Sequence, residues 1–278
     1  MLLKVIVKYK NLFFISIVMK AIIVSKKDTA GMNIKECLEN YDLEKYDTKL
    51  FMVEKESVFN ENIDEEIDAD FFIFATKHKS ESKINSLSVH TAGNWTKAAN
   101  EHGGQDRKLC IAPAAYLKMA LLKLMELAKD IDFEVVQECS HHGPFLESKP
   151  SMFIEIGSSE EQWKNKQAGE IIAKTIIYLL ENKPPSCRAA FGIGGLHHTP
   201  ILTKTMLKTD IAFGHVCPKY MLEFLDKEMI LQAIEKTEPK AELGVLDWKG
   251  LGKEKTRIKG LLEESPTIII VINQYYHN

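Results

Sequence analysis

Short apolar runs alternate along this chain with longer stretches of helix-forming residues, and that alternation points to a layered α/β fold. The clearest run is Phe71 to Ala75, five apolar residues between the acidic segment 61–68 and the polar KHKSES, as expected of a strand buried on both faces. Further strands are predicted over 21–25, 132–137, 151–156, 188–193, 211–213 and 267–272. Helices are predicted from Asn33 to Leu38, from Ala114 to Ala128, from about Glu160 to Leu180, and in a short form near 203–208. Pro113 suits the first turn of the second helix, where its missing donor costs little, and Ser158 with Glu161 has capping-box spacing ahead of the third. Residues 85–113 show little helical periodicity, and the basic-leaning run WKGLGKEKTRIKG at 248–260 reads as a linker or exposed arm.

Composition narrows the class. With 45% hydrophobic and 27% charged residues the chain is an ordinary folded protein, not a collagenous, mucin-like or disordered one. A formal charge of -3 gives no strong electropositive field, so any nucleic-acid surface has to be a local patch. Five cysteines without a CxxC pair fit a reducing compartment better than secretion. Residues 1–18 carry Lys4, Lys8 and Lys10, leaving only Asn11 to Val18 uncharged, too short to cross a bilayer. Met19 onward reads as an independent start, so 1–18 is expected to be an upstream extension, with a true first strand as its other explanation.

The histidines carry the chemistry. None of the nine precedes position 78, and eight fall between His78 and His215, mostly just beyond predicted strands, where open α/β sheets place ligands. The doublets His141-His142 and His197-His198 lie in loops that can turn both rings inward. His78 and His102 stand alone and read as surface or core positions. Neutral imidazole suits zinc, and Glu155, an acid interrupting the apolar SMFIEIGSS, can complete such a site; a salt bridge or a backbone hydrogen bond is its other explanation. There is no HExxH, Walker loop or GxSxG elbow. The loop GIGGLHHTP is not a dinucleotide fingerprint either: Gly194 and Gly195 allow close backbone approach, suited to an oxyanion, a terminal ribose or a metal-bound water. His90, Thr91, Gly93, Asn94 and Trp95 can position a sugar, amino acid or base, with Trp95 fitting the core equally well. Lys219, with Lys249, Lys253, Lys255, Arg257 and Lys259, can form a basic patch or an ordinary solvated surface.

Seven ordered blocks resemble the D-aminoacyl-tRNA deacylase family of the archaeal and plant type: SKKDTAG at 25–31, ATKHKSES at 75–82, SLSVHTAGNW at 86–95, ECSHHGPF at 138–145, SMFIEIGSSEEQW at 151–163, GIGGLHHTP at 192–200 and GHVCPKY at 214–220. Thr29 stands where a proline is commoner in the family. The resemblance implies one domain over 19–278, a central mixed sheet flanked by helices, similar to peptidyl-tRNA hydrolases and nucleoside phosphorylases. It implies hydrolysis of the ester joining a D-amino acid to the terminal ribose of tRNA, with broad side-chain tolerance, by a zinc-using cytoplasmic monomer that needs no membrane or obligate protein partner. His141, His142, His197, His198 and Glu155 are then expected to be catalytic. His142, His198, His215 and Glu155 are expected to hold metal, and His90, Thr91, Gly93, Asn94, Trp95, Gly194, Gly195 and Lys219 to bind the acceptor end. Two other classes remain: a zinc-dependent amidohydrolase, peptidase or esterase acting on small substrates, and a noncatalytic RNA-binding module, which would leave the histidine doublets unexplained.

Overall fold

The structure, a computed structural model, describes residues 19–81, 83–97, 101–263 and 265–272; the extension expected over 1–18 lies outside the described residues. The strands are β1 (Lys20–Ser25), β2 (Thr48–Val53), β3 (Phe71–Lys79), β4 (Ser86–His90), β5 (Ala112–Pro113), β6 (Glu134–Gln137), β7 (Ser151–Ser158), β8 (Arg188–Ile193), β9 (Ile211–Cys217), β10 (Thr237–Glu238), β11 (Leu243–Asp247) and β12 (Ile268–Ile272). The helices are α1 (Thr29–Leu38), α2 (Ile63–Glu66), α3 (Ala114–Leu127), α4 (Glu160–Trp163), α5 (Lys166–Glu181), α6 (Pro200–Lys208), α7 (Lys227–Glu235) and α8 (Lys255–Leu262). A six-stranded sheet runs in the order β2-β1-β3-β7-β4-β6, and a four-stranded sheet in the order β12-β11-β8-β9. All pairings in the larger sheet are parallel except β4 with β7, so this α/β fold has a mixed central sheet.

The period-two alternation of the central strands divides that sheet into two chemically different faces. Ile22, Val24, Ile73, Ala75, Leu87, Val89, Ile154 and Ile156 point to one face and join a core with Ile34 of α1, Leu117 and Leu121 of α3 and Ile172 and Ile176 of α5. Each such side chain, fully buried, contributes roughly 1.5–3 kcal/mol. On the other face Ala21, Ile23, Phe72, Phe74 and Phe153 pack against Phe145 and Leu146, and beyond them that face turns polar. The β1–α1 turn is fixed by Asp28, whose carboxylate caps α1 by accepting from Gly31 N at 2.7 Å and accepts from Lys77 N of β3 at 3.0 Å. Gly31 is required there, since a Cβ would stand 2.7 Å from the Ala75 carbonyl oxygen.

Several expectations need correction. β9 continues to Cys217 instead of ending at Phe213, so GHVC is strand and not a loop. The helix expected over 160–180 is broken between Trp163 and Lys166, and its cap is Asn165, accepting from Ala168 N; the Ser158 hydroxyl instead donates to the Ile84 carbonyl from the end of β7. The run 248–260 is not a linker: Leu251 and Ile258 are buried, and α8 forms on that apolar face. Strands β2, β4 and β11 and helix α7 were not apparent in the apolar pattern. Among the described residues no helix is long and apolar enough to cross a membrane.

Candidate active site

The polar part of the central sheet builds the site. Thr76 and His78 continue the Phe72–Phe74 face of β3, Glu155 follows Phe153 on β7, and His90 ends β4 opposite Phe153, stacked on its ring at 5.0 Å. Because β4 and β6 run against β3 and β7, their carboxyl ends lie toward the opposite edge of the sheet. The histidines therefore gather over the sheet's face, not outside one edge as the sequence suggested. Two loops close over them. The loop after β6 carries Glu138, His141 and His142 and is tied down by Glu138 N donating to Val89 O and Ser140 N to Val216 O. The loop after β8 carries His197 and His198 and is joined to the first by Cys139 N donating to His197 O at 2.9 Å.

Six imidazoles and two buried carboxylates meet here. The His141 ring lies 4.4 Å from that of His90, 4.2 Å from that of His142 and 4.4 Å from that of His197, while His78 lies 5.3 Å from His197 and 5.4 Å from His198. Glu138 sets one carboxylate oxygen 2.8 Å from His197 Nε2 and 3.5 Å from His141 Nε2, and the other 3.2 Å from His78 Nδ1. Glu155 accepts from the Thr76 hydroxyl at 2.5 Å, and its second oxygen lies 3.4 Å from His90 Nε2 and 3.7 Å from His78 Nδ1. All but His90 and Glu138, which are buried behind the others, border a cavity of about 1050 Å³ that also reaches Asp28, Phe59, Leu196 and Tyr220.

Hydrogen bonding fixes the tautomers of the first doublet. His141 Nδ1 lies 2.9 Å from the Cys139 carbonyl oxygen and His142 Nδ1 2.6 Å from that of Gly143. A carbonyl only accepts, so Nδ1 carries the proton in each ring and Nε2 keeps its lone pair. Burial, then the neighbouring imidazoles, lowers both: His141 sits well below the ordinary histidine range and His142 at about 4. The acids behave oppositely. Burial alone would raise Glu138 and Glu155, but His78 and His197 around the first, and His78 and His90 around the second, hold both carboxyls well below the usual range. Burial would lower His197, yet Cys139 and Glu138 push it up.

This cluster is also poorly supplied with partners. Among the buried polar atoms of the described residues without a hydrogen bond are His78 Nε2, both nitrogens of His90, one oxygen of Glu138 and one of Glu155. Unmet buried groups cost roughly 1–3 kcal/mol each, a cost that proteins tolerate where a ligand will supply the partner. Three overlapping sets place donor atoms within 4.8 Å of one another: His78, Glu138, His141 and His197; His90, His141 and His142; His90, Glu138 and Glu155. Nitrogen with carboxylate oxygen is the donor chemistry zinc prefers.

The family model described as D-aminoacyl-tRNA deacylase matches residues 65–270, a span that contains every residue of this cluster. The chain belongs to that family. It is 40% identical over 268 residues to the D-aminoacyl-tRNA deacylase of Thermococcus onnurineus, covering 88% of this chain and 97% of that protein, and 37% identical over 269 residues to that of Methanosarcina mazei, covering 87% and 89%. A crystal structure of a conserved protein of unknown function superposes with a TM-score of 0.83 at 30% identity, over 91% of this chain and 95% of that one.

Of the residues singled out from the sequence, His141, His142, Glu155 and His197 line this cavity, His90 is buried behind them against His141 and Glu155, and His198 sits at its border, 3.5 Å from Glu134. His198 and His215 belong to none of the three donor sets. His215 is held apart by its place inside β9: Nε2 donates to the Cys110 carbonyl and Nδ1 accepts from the Ser140 hydroxyl, each at 2.9 Å. Thr91 is buried and donates to the Ser151 carbonyl, and Trp95 is a core residue that donates to the Ser140 carbonyl, bracing the first histidine loop. Gly93, Asn94 and Trp95 line the cavity. Gly194 and Gly195, at φ 101° and 85°, make the left-handed turn that presents Leu196 and His197. Lys219 is exposed beside that turn. Sequence reasoning missed Glu138 and His78, while Tyr220, read with Lys219 as part of a polar rim, lines the cavity. Glu138 had a signal close to the one that marked Glu155, an acid directly following an apolar strand where Glu155 interrupts one, and His78 shares a strand face with Thr76.

Proposed function

We propose that this cavity is where the chain performs its family's reaction, hydrolysis of the ester between a D-amino acid and tRNA to release both. The observation that carries the assignment is the pair of neutral rings, His141 and His142, whose Nε2 lone pairs are left bare by the carbonyls bound at Nδ1. One such nitrogen takes a proton from water as the water oxygen attacks the ester carbonyl; the same imidazolium then gives the proton to the ribose oxygen as the carbon–oxygen bond breaks. Glu138, 3.5 Å from His141 Nε2, stabilises the transient positive charge. In place of that proton transfer at the rings it would occupy, zinc, for which His90, His141 and His142 or His78, Glu138, His141 and His197 would supply ligands, would when bound polarise the ester and lower the pKa of water.

The cavity's size suits the expected tolerance for different D-side chains, and a fold of the peptidyl-tRNA hydrolase kind would suit the end of a charged tRNA. Five unpaired cysteines support the cytoplasmic part of the proposal. The test is deacylation of D-tyrosyl-tRNA and L-tyrosyl-tRNA before chelation, after it, and after zinc is restored, with bound metal counted. D-selective turnover that is lost and recovered supports the zinc-using reading. Selective turnover indifferent to chelation confines the histidines to proton transfer and binding, and equal efficiency on a free D-tyrosyl ester would favour a small-substrate esterase.

A further inference from the structure

The basic residues expected to form a loose arm are instead packed against the loop that carries His197. Lys219 N donates to the Gly195 carbonyl at 2.9 Å, so this lysine sits on the turn presenting Leu196 and His197. The turn after β11 closes on the same place: Asp247 accepts from Gly250 N at 3.0 Å, and a Cβ on Gly250 would stand 2.3 Å from Gly195 N. Gly252, at φ 56°, makes room for Lys219, whose Cε lies 3.2 Å from where a Cβ would be. Arg257 clamps the other side, its guanidinium donating to the Leu222 and Leu225 carbonyls while it engages Glu254. The local acid is thereby occupied, and Lys255 lies over the Trp248 ring.

Lys219, Lys249 and Lys253 remain exposed, and none has an ion-pair partner among the described residues. Segment 248–260 holds five basic residues against one acidic, in a chain whose total charge is -3. Between these lysines and the histidines lie Leu196, 67% exposed, and Tyr220, half exposed, both lining the cavity. Ammonium groups leading over exposed apolar side chains to a hydrolytic centre match a strand whose phosphates precede flat bases and a terminal ester.

We propose that the face formed by Leu196, Lys219, Tyr220, Lys249 and Lys253 docks the acceptor end of tRNA, with phosphates on the lysines and base faces against Leu196 and Tyr220. This inference rests on the cavity being the deacylation site. The test compares Lys249→Glu/Lys253→Glu with Lys183→Glu/Lys208→Glu, which reverses two exposed lysines at the opposite ends of the smaller sheet's strands. Both are assayed on D-tyrosyl-tRNA across a salt series and on D-tyrosine esterified to adenosine, which carries the ester and a base but no phosphate. For Lys249→Glu/Lys253→Glu we expect a KM for the tRNA raised roughly 10-fold with kcat kept, and a log–log salt slope shallower by about 0.7–0.9 per lost phosphate contact. Hydrolysis of the adenosine ester stays at the wild-type rate, and the control pair behaves as wild type throughout. A wild-type KM and salt slope, or an equal loss on both substrates, overturns the docking surface. Wild-type protein inert on both substrates overturns the deacylation reading instead; binding of uncharged tRNA, lost in the first variant and kept in the control, then judges the surface independently.

Discussion

His141 and His215 are imidazoles on neighbouring parts of the same fold, the first partly and the second fully buried, and they are treated in opposite ways. His215 has a donor and an acceptor waiting, the Ser140 hydroxyl and the Cys110 carbonyl, so its two nitrogens are satisfied and burial holds it neutral at about 4. His141 has one carbonyl partner and otherwise faces imidazoles and a carboxylate. Burial lowers both rings, so that shift does not by itself single out the one with a nitrogen to spare. The count of satisfied ring nitrogens does, because an unmet lone pair in a cavity is what a proton, a metal or a substrate can use.

The comparison breaks most visibly in activity. His141→Ala is expected to lower kcat by about 10²–10⁴-fold, the usual worth of a positioned general base, with thermal stability held or raised as a crowded cluster is relieved. Single-turnover kinetics beside a melting curve reads both; retained kcat would remove His141 from the reaction. The opposite split belongs to His215→Phe, which leaves turnover near wild type and costs about 1–3 kcal/mol by stranding the Ser140 hydroxyl and the Cys110 carbonyl. Acid sharpens this case. His215 is depressed from 6.5 to about 4 in the folded chain, so the unfolded chain binds its proton first; the contribution is full above pH 6.5 and drains as pH falls toward 4. Denaturant titrations over that window should show a shallower loss in His215→Phe than in wild type, and parallel curves would refute the assignment. The smallest effect is expected from Thr76→Val, which removes one donor to Glu155: turnover falls roughly 2- to 10-fold, the equivalent of one hydrogen bond. An unchanged rate would detach Glu155's orientation from the chemistry.

Much of the frame was visible in residue order. FFIFATKH announced β3, SMFIEIGSS announced β7 with its buried acid, and both histidine doublets were recognisable as cavity residues. β4 was not visible, because SLSVH is short and lies in a stretch rich in turn residues, although it supplies His90. His78 looked solitary because Glu155 comes from β7, its neighbour only once the sheet assembles, and Glu138 from the loop after β6, far along the chain. The lysine run 248–260 looked like an arm because charge dominates its composition, and two buried residues, Leu251 and Ile258, were enough to fold it down.

The sequence by itself determined the layering, through alternation of period two against helical segments, and the types of group that line the cavity, through histidines and acids at the ends of apolar runs. Tertiary structure alone decided what each histidine nitrogen faces. A ring nitrogen's state depends on the atom facing it, and those atoms come from far along the chain: Cys110 reaches His215 from 105 residues away, and Glu138 reaches His197 from 59. Antiparallel insertion of β4 between β7 and β6 then turns residues from opposite strand ends onto one face, where partners can be counted.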